Sequence, residues 1–466
     1  MYIMNLTKLN KIYFLGIGGI GMSALARYFM HRGVSVFGYD KTKTELTVLL
    51  ESEGASITYI DTMDTIQVDV ELVIYTPAIP KNSIQFNYFL DKKYEVLKRS
   101  EVLANITHNT FTIAVGGTHG KTSTSCMIAH LLEHSGVGCT AFLGGISVNF
   151  NSNFICTNTE VIVVEADEYD RSFHRLYPDI AVITSTDADH LDIYNTAKNV
   201  EEAFYTFAQN VKTKGTLIAH ERTNLKQKTI AATHLSYAVN EHQADVYSTI
   251  SNVGFRQYKF EHTSKSSNRT IDNITLNVSG IHNVENMTAA VEVAKIMGLT
   301  DDQIQQGVQT FTGIKRRFEY VIDNSNVVMI DDYAHHPSEI TNFINSLRLQ
   351  YKSASIVVIF QPHLFSRTND FLEGFASSLS LADAVILLPI YPARELPIAG
   401  ITSQLIFERL TCDSKYLVEK SQLLDLLATL HFDVVATVGA GDIDTLVLPI
   451  KNQLLQLESN IKTTHQ

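Results

Sequence analysis

Residues 111–125 read FTIAVGGTHGKTSTS, and their reading decides the fold. An apolar, β-branched run passes into a glycine-rich turn and then into a helical pattern, the strand–loop–helix context of a phosphate-binding loop. Gly116, Gly117 and Gly120 leave backbone N–H groups free to surround phosphate oxygens. Lys121 can reach the outer phosphates of a nucleoside triphosphate, and the Thr122 hydroxyl can ligate Mg2+. Thr118, His119 and Ser123 complete the expected ATP-binding stretch. Val115 departs from the usual G-x-x-x-x-G-K-[ST] pattern, which wants a glycine there.

Outward from this loop, short β-branched runs alternate with helical patterns, as in parallel α/β sheets. KIYFLG (11–16), VSVFGYD (34–40) and LVIYTPAIP (72–80) read as strands of a first unit, closed by the polar link NITHNT (105–110). EVIVVEADEYD (160–170) and DIAVITSTDADHLDIY (179–194) end in acids, at the strand ends where ligands gather in open α/β sheets. Residues 221–280 read as sheet and loop, and NVENMTAAVEVAKIMG (283–298) as a helix stopped by Gly298. VVMIDDYAHHP (327–337), SIVVIFQPH (355–363), AVILLPIY (384–391) and DVVATVGAGD (433–442) supply strands of a last unit. The polar tail beyond about residue 455 is expected to fray. Three α/β domains follow: a Rossmann-like one over 1–106, a central P-loop ATPase domain with a parallel-rich sheet over 107–318, and a Rossmann-like one over 319–466.

A second glycine turn, GIGGIG (16–21), lies between a strand and a helix. Gly16, Gly18 and Gly21 stand in G-x-G-x-x-G register with Gly19 between them, and Asp40 ends the next strand, where an acid can bond a ribose hydroxyl. The pattern fits a diphosphate ligand; it does not separate NAD from a nucleotide sugar.

Bulk properties narrow the classes. The 466 residues are 45% hydrophobic and 18% charged, with net charge −12. Such an acidic chain argues against nonspecific nucleic-acid binding. The four cysteines (Cys126, Cys139, Cys156, Cys412) have no metal-ligand spacing and fit a reducing compartment. No signal-peptide-like start and no membrane-length apolar run is found, so a cytoplasmic protein without a membrane partner is expected.

GGTHGKTSTS (116–125), EADEYDRSF (165–173), DADHLDIY (187–194), SGIHNVENMTAA (279–290), GIKRRFEY (313–320), DDYAHHPSEI (331–340) and FQPHLFSRT (360–368) occur in one order. That ordered set resembles the bacterial Mur ligases, above all the alanine-adding branch, over about residues 11–445. The family loop, G-T-x-G-K-[ST], accommodates Val115. The resemblance implies three domains, for the UDP-sugar, for ATP, and a last one completing the ATP and amino-acid site. It implies an ATP-dependent peptidoglycan-precursor ligase acting on UDP-N-acetylmuramate and L-alanine with Mg2+, as a monomer or homodimer. It turns the Gly16–Gly21 loop and Asp40 toward the UDP-sugar rather than NAD.

Further roles follow from the same resemblance. Lys121 and Thr122 hold ATP phosphates and Mg2+, and Glu165 and His190 are metal ligands with Thr122. His282, Asn283 and Asn286 face the adenosine, Arg317 contacts phosphate, and Asp332 takes the ribose. Tyr333, His335 and Arg367 face the amino acid. Lys121, His190, Arg317 and His335 form the catalytic set. Two departures stand out: Leu364 replaces the first of two arginines common in PHRYTRT, and Asp187 replaces a common glutamate. The alternatives are a ligase that recycles a preformed tripeptide onto the same sugar nucleotide, and an NAD-dependent oxidoreductase. Closure around the substrates implies hinges near residues 107 and 318.

Overall fold

The computed structural model describes residues 6–157, 159–169, 171–189, 191–393 and 395–464. Its strands form three sheets in an α/β architecture. The first is all parallel, in the spatial order Ser56–Thr58, Ser35–Tyr39, Lys11–Leu15, Leu72–Tyr75, Val96–Lys98. Strand order reverses beside Lys11–Leu15. The glycine turn therefore leaves its strand at the switch point where a parallel sheet opens a crevice.

The second sheet has ten strands. Phe111–Gly116 lies inside it, paired in parallel with Ile180–Ile183 on one side and Val161–Ala166 on the other. The strand runs through Gly116 and Val115 is fully buried. Position 115 is thus a core position, and the phosphate turn begins one residue later. Residues 221–280 add Thr233–Val239, Val246–Gly254, Gln257–Ser264 and Arg269–Leu276 to the same sheet, the last two joining antiparallel.

The third sheet runs Glu319–Asp323, Val328–Asp332, Val434–Val438, Ile356–Phe360, Ala384–Leu387, Ser414–Leu417, parallel except for the first strand. The two edge strands (EYVID and SKYL) escape the sequence reading because edges carry mixed polarity instead of the continuous apolar run of a buried parallel strand. Of the tail expected to fray, the described residues up to Thr464 belong to a helix, Val447–Thr464.

The chain divides into two compact units, residues 1–277 with 283–312, and 278–282 with 313–466. The first two sheets share one unit because of helix Ile20–His31. Met22 through Phe29 are all buried, so this helix is covered on every side. Tyr28 meets Phe142 and Phe154 of the second sheet with ring centroids 5.5 and 6.3 Å apart. Arg27 donates two bonds to Glu53 (2.7 and 2.8 Å) and one to Asn153. Each buried aromatic at this seam is worth about 1.5–3 kcal/mol. The hinge expected near residue 107 therefore falls within one unit with a common core. Among the described residues, no helix is long and apolar enough to cross a membrane.

Candidate active site

The phosphate loop is shaped by positive φ values and close neighbours. Gly117 (φ +138°) has Thr184 Oγ1 only 2.0 Å from where a Cβ would sit, and at Gly120 (φ +83°) Asn286 Oδ1 lies 2.6 Å from the same point. Only glycine meets both demands. The segment after strand Ile180–Ile183 ties the turn down. Thr184 N–H donates to Gly116 O (3.0 Å), and its hydroxyl donates to Gly116 O (3.2 Å) and His119 O. Thr118 N–H donates to Ser185 O (3.2 Å), His119 N–H to Ser185 Oγ (2.9 Å), and the Thr118 hydroxyl to Asp187 O (2.7 Å). Asp187 also faces His119 Nε2 at 3.6 Å.

Helix Lys121–His134 starts at Gly120 without a side-chain cap, whereas Thr44, Ser83, Thr196 and Thr300 cap surface helices. Its first N–H groups and dipole thus remain available to an anion. Thr122 and Ser123 are buried on its first turn. Asn283 and Asn286 lie buried on helix Ile281–Ile296, and Asn286 is the one brought against the loop.

Lys121 is held by an acid that the sequence reading passed over. Its ammonium donates to both oxygens of Glu168 (2.9 and 2.8 Å) and to Gly117 O (2.6 Å). Burial pulls the ammonium down, but the facing Glu168 carboxylate overrides it and holds Lys121 above its usual range. Burial lifts Glu168 to about 7 against the pull of Lys121. Its place three residues after Glu165 in EADEYD was the available signal.

Glu165 reaches the loop by register, since it pairs with Val115. Its carboxylate accepts the Thr122 hydroxyl (3.2 Å), the Ser125 hydroxyl (3.3 Å) and Gly144 N–H (2.5 Å). A Cβ on Gly144 would lie 2.5 Å from Glu165 Oε2, so this glycine serves the site too. His190 lies outside the described residues. Among the described residues, no group of three or more His, Cys, Asp or Glu side chains is set to hold a metal. The hydroxyl and carboxylate of Thr122 and Glu165 are hard oxygen donors of the kind that suits Mg2+, which keeps waters and substrate phosphates for its other positions.

The first-sheet turn is equally specific. Gly16 (φ +84°) donates to Tyr39 O (2.8 Å), and Gly18 N–H donates to Asp40 Oδ2 (2.8 Å). Asp40 thus braces the turn itself. Gly19 caps helix Ile20–His31 without a side-chain bond. The bare face of Gly21 admits Arg99, whose Nη1 lies 2.7 Å from the Cβ position there. Arg99 also pairs with Asp167 at 3.1 Å, linking this turn to the acidic loop of the second sheet. No sequence motif marks Arg99.

The second unit carries the remaining residues. His282 packs its ring against Gly280, whose Cβ position is 2.4 Å from His282 Cε1. Asp332 ends strand Val328–Asp332, and its two oxygens accept Phe318 N–H (2.7 Å) and Ala334 N–H (2.8 Å). Burial raises its carboxyl to about 7. The guanidinium of Arg317 lies 5.8 Å from the Tyr333 ring centroid, a cation–π distance. Tyr333 and His335 rings meet edge-on at 5.3 Å; His335 faces His363 at 6.3 Å, and His363 stacks on Tyr391 at 5.8 Å. Helix Pro337–Gln350 follows, capped by His336 with proline at its start, as the sequence suggests.

Arg367 is buried on helix Phe365–Asp370. Leu364, at φ +70°, turns a 5% exposed side chain into the protein, so it offers no contact to a carboxylate.

Comparison with known proteins accounts for this arrangement. Residues 11–110 match the Mur ligase family catalytic domain, residues 115–294 the Mur ligase middle domain, and residues 316–441 the Mur ligase glutamate ligase domain. The chain is 43% identical over 458 residues to the UDP-N-acetylmuramate--L-alanine ligase of Cytophaga hutchinsonii, covering 96% of this chain and 97% of that one. It superposes on the crystal structure of UDP-N-acetylmuramate-alanine ligase from Thermotoga maritima with TM-score 0.82 at 28% identity, covering 96% and 99% of the two chains. A murein peptide ligase from Psychrobacter arcticus shares the fold at 21% identity, with TM-score 0.71 over 96% and 98%. With all three domain models matched in order around the loop at Lys121, the chain belongs to the Mur ligase family.

Proposed function

We infer that the protein is an ATP-dependent ligase joining L-alanine to the lactyl carboxylate of UDP-N-acetylmuramate, a step in making peptidoglycan precursors in the cytoplasm. The observation that carries this reading is the pairing of Thr122 with Glu165 and of Lys121 with Glu168 at the phosphate loop, in a chain similar along 96% of its length to a relative of that name.

A carboxylate is a poor acyl donor because its carbonyl carries negative charge and its leaving group would be oxide. In the proposed reaction the lactyl carboxylate oxygen attacks the γ-phosphorus of ATP, ADP departs, and an acyl phosphate forms. The alanine amine then attacks the acyl carbon, phosphate leaves from the tetrahedral intermediate, and the amine proton is lost. The protein contributes position and charge. Lys121, turning from Glu168, and the uncapped start of helix Lys121–His134 offset phosphate charge that would repel the incoming carboxylate. Asn286, Asn283 and His282 are assigned to the adenosine, Asp332 to the ribose and Arg317 to phosphate. Mg2+ would be held by Thr122, Glu165 and His190 and would neutralise phosphate charge. The Gly16–Gly21 turn takes the UDP diphosphate. Tyr333, His335 and Arg367 receive alanine, with a single arginine gripping its carboxylate.

A second reading rests on Leu364: loss of one carboxylate-binding arginine suits a ligase that takes a preformed tripeptide in place of alanine. Phosphate release from ATP and UDP-N-acetylmuramate, scanned across L-alanine, glycine, L-serine and the tripeptide, decides between them. Release driven by alanine supports the first reading; release driven only by tripeptide replaces it with the second.

A further inference from the structure

The turn Ile314–Phe318 in the second unit is held in a conformation it would not adopt alone. Arg316 and Phe318, on either side of Arg317, have φ +59° and +51°. Non-glycine residues there are strained and persist only when the surroundings over-determine them. Three acids supply that constraint. Arg316 N–H donates to Glu319 Oε2 (2.7 Å), Phe318 N–H to Asp332 Oδ2 (2.7 Å), and the Arg316 guanidinium to Asp331 Oδ2 (3.0 Å). Tyr333 N–H donates to Arg316 O (2.7 Å), Arg317 N–H to Ile314 O (3.2 Å), and Arg316 Nη2 to Gly439 O (2.8 Å).

The arrangement gives two adjacent arginines different surroundings. Arg316 is spent on the fold, fastened to the carboxyl ends of strands Val328–Asp332 and Val434–Val438. Both guanidinium groups lie over the Tyr333 ring, Arg316 at 5.3 Å and Arg317 at 5.8 Å, and Arg317 projects from backbone fixed on either side of it. We propose that Glu319, aided by Asp331 and Asp332, is a positioning residue for the ligase reaction, fixing the backbone from which Arg317 acts. This rests on the reading that Arg317 works on ATP phosphates. It gives Glu319 a role that no motif assigns, and it gives Asp332 a duty beyond the ribose. The strain is stored at the two residues that flank Arg317 and is offset by the carboxylates bonded to their N–H groups.

The test is a double-mutant cycle on the full chain, reading kcat, ATP KM and melting temperature. Glu319→Ala removes the acceptor of Arg316 N–H. It is expected to lower kcat about ten- to a hundredfold, the cost of a misplacement of roughly 1 Å, while ATP KM moves less than about twofold. Glu319→Gln keeps an acceptor oxygen and is expected to restore most of kcat. In an Arg317→Ala background, Glu319→Ala is expected to change kcat less than about twofold, while its effect on melting stays the same in both backgrounds. A merely structural role would give equal losses of kcat in the two backgrounds. That outcome, or wild-type kcat in Glu319→Ala, overturns the proposal while leaving the ligase reading intact. Normal kcat in Arg317→Ala alone removes the assigned role of Arg317 and the proposal with it.

Discussion

Gly117→Ala tests the phosphate loop by adding one methyl group. The new Cβ would stand 2.0 Å from Thr184 Oγ1, 2.9 Å from Ser185 N and 3.0 Å from Thr184 N, at φ +138°. The backbone strain alone is worth about 1–3 kcal/mol. Turning the Thr184 hydroxyl aside surrenders its bonds to Gly116 O and His119 O, at about 1 kcal/mol each. The two backbone nitrogens cannot rotate away at all. Adding these terms gives about 3–5 kcal/mol, which the protein relieves by pushing the turn outward. A shift of about 1 Å in groups that position a reacting phosphate costs on the order of 10²-fold in rate. Gly298→Ala is the control: it also has a positive φ (+88°), but no atom lies within 4 Å of its Cβ position. It should lose only about 1–2 kcal/mol and keep its turnover. The assay is phosphate release from ATP with UDP-N-acetylmuramate and alanine, beside thermal melting of both variants. If Gly117→Ala turns over within a few-fold of wild type and melts like Gly298→Ala, the loop is neither as tight nor as central as argued.

Three more outcomes are expected. Lys121→Ala should lose on the order of 10³-fold in phosphate release, because the main cation of the loop is gone; near-normal turnover would mean ATP binds elsewhere. Glu165→Ala removes the partner of Thr122, Ser125 and Gly144 and should raise the Mg2+ concentration for half-maximal activity about 10–100-fold; an unchanged Mg2+ titration would dissociate this acid from the metal. His130, buried between helix Lys121–His134 and helix Asp301–Thr310, is pushed down to about 4 by burial. Its folded value lies below the unfolded 6.5, so its neutral form contributes stability that is full above pH 6.5 and lost as pH falls toward 4. Urea denaturation should show a slope of up to about 1.4 kcal/mol per pH unit from this residue in that window. His130→Leu should flatten the slope, and an identical slope in the variant would place the acid sensitivity elsewhere.

Local pattern determined much of this protein. The run 111–125 specified strand, glycine turn and helix because each is a short-range consequence of side-chain type: β-branched residues, positive φ, an uncapped helix start. The same holds for the Gly16–Gly21 turn and for the proline-started helix after His336. Tertiary structure decided what depends on partners distant in the chain. Register in the ten-stranded sheet carries Glu165 to Thr122, and a loop held by Tyr194 and Arg171 turns Glu168 onto Lys121. The short edge strands, the shared core around helix Ile20–His31 and the contact of Arg99 with Gly21 left no periodic trace. The resemblance alone told the neighbouring arginines 316 and 317 apart, and only the packed sheet showed Arg316 claimed by Asp331. Strand and turn preferences act over a few residues, whereas pairing a charge, filling the space above a glycine or burying both faces of a helix is settled only when the sheets pack.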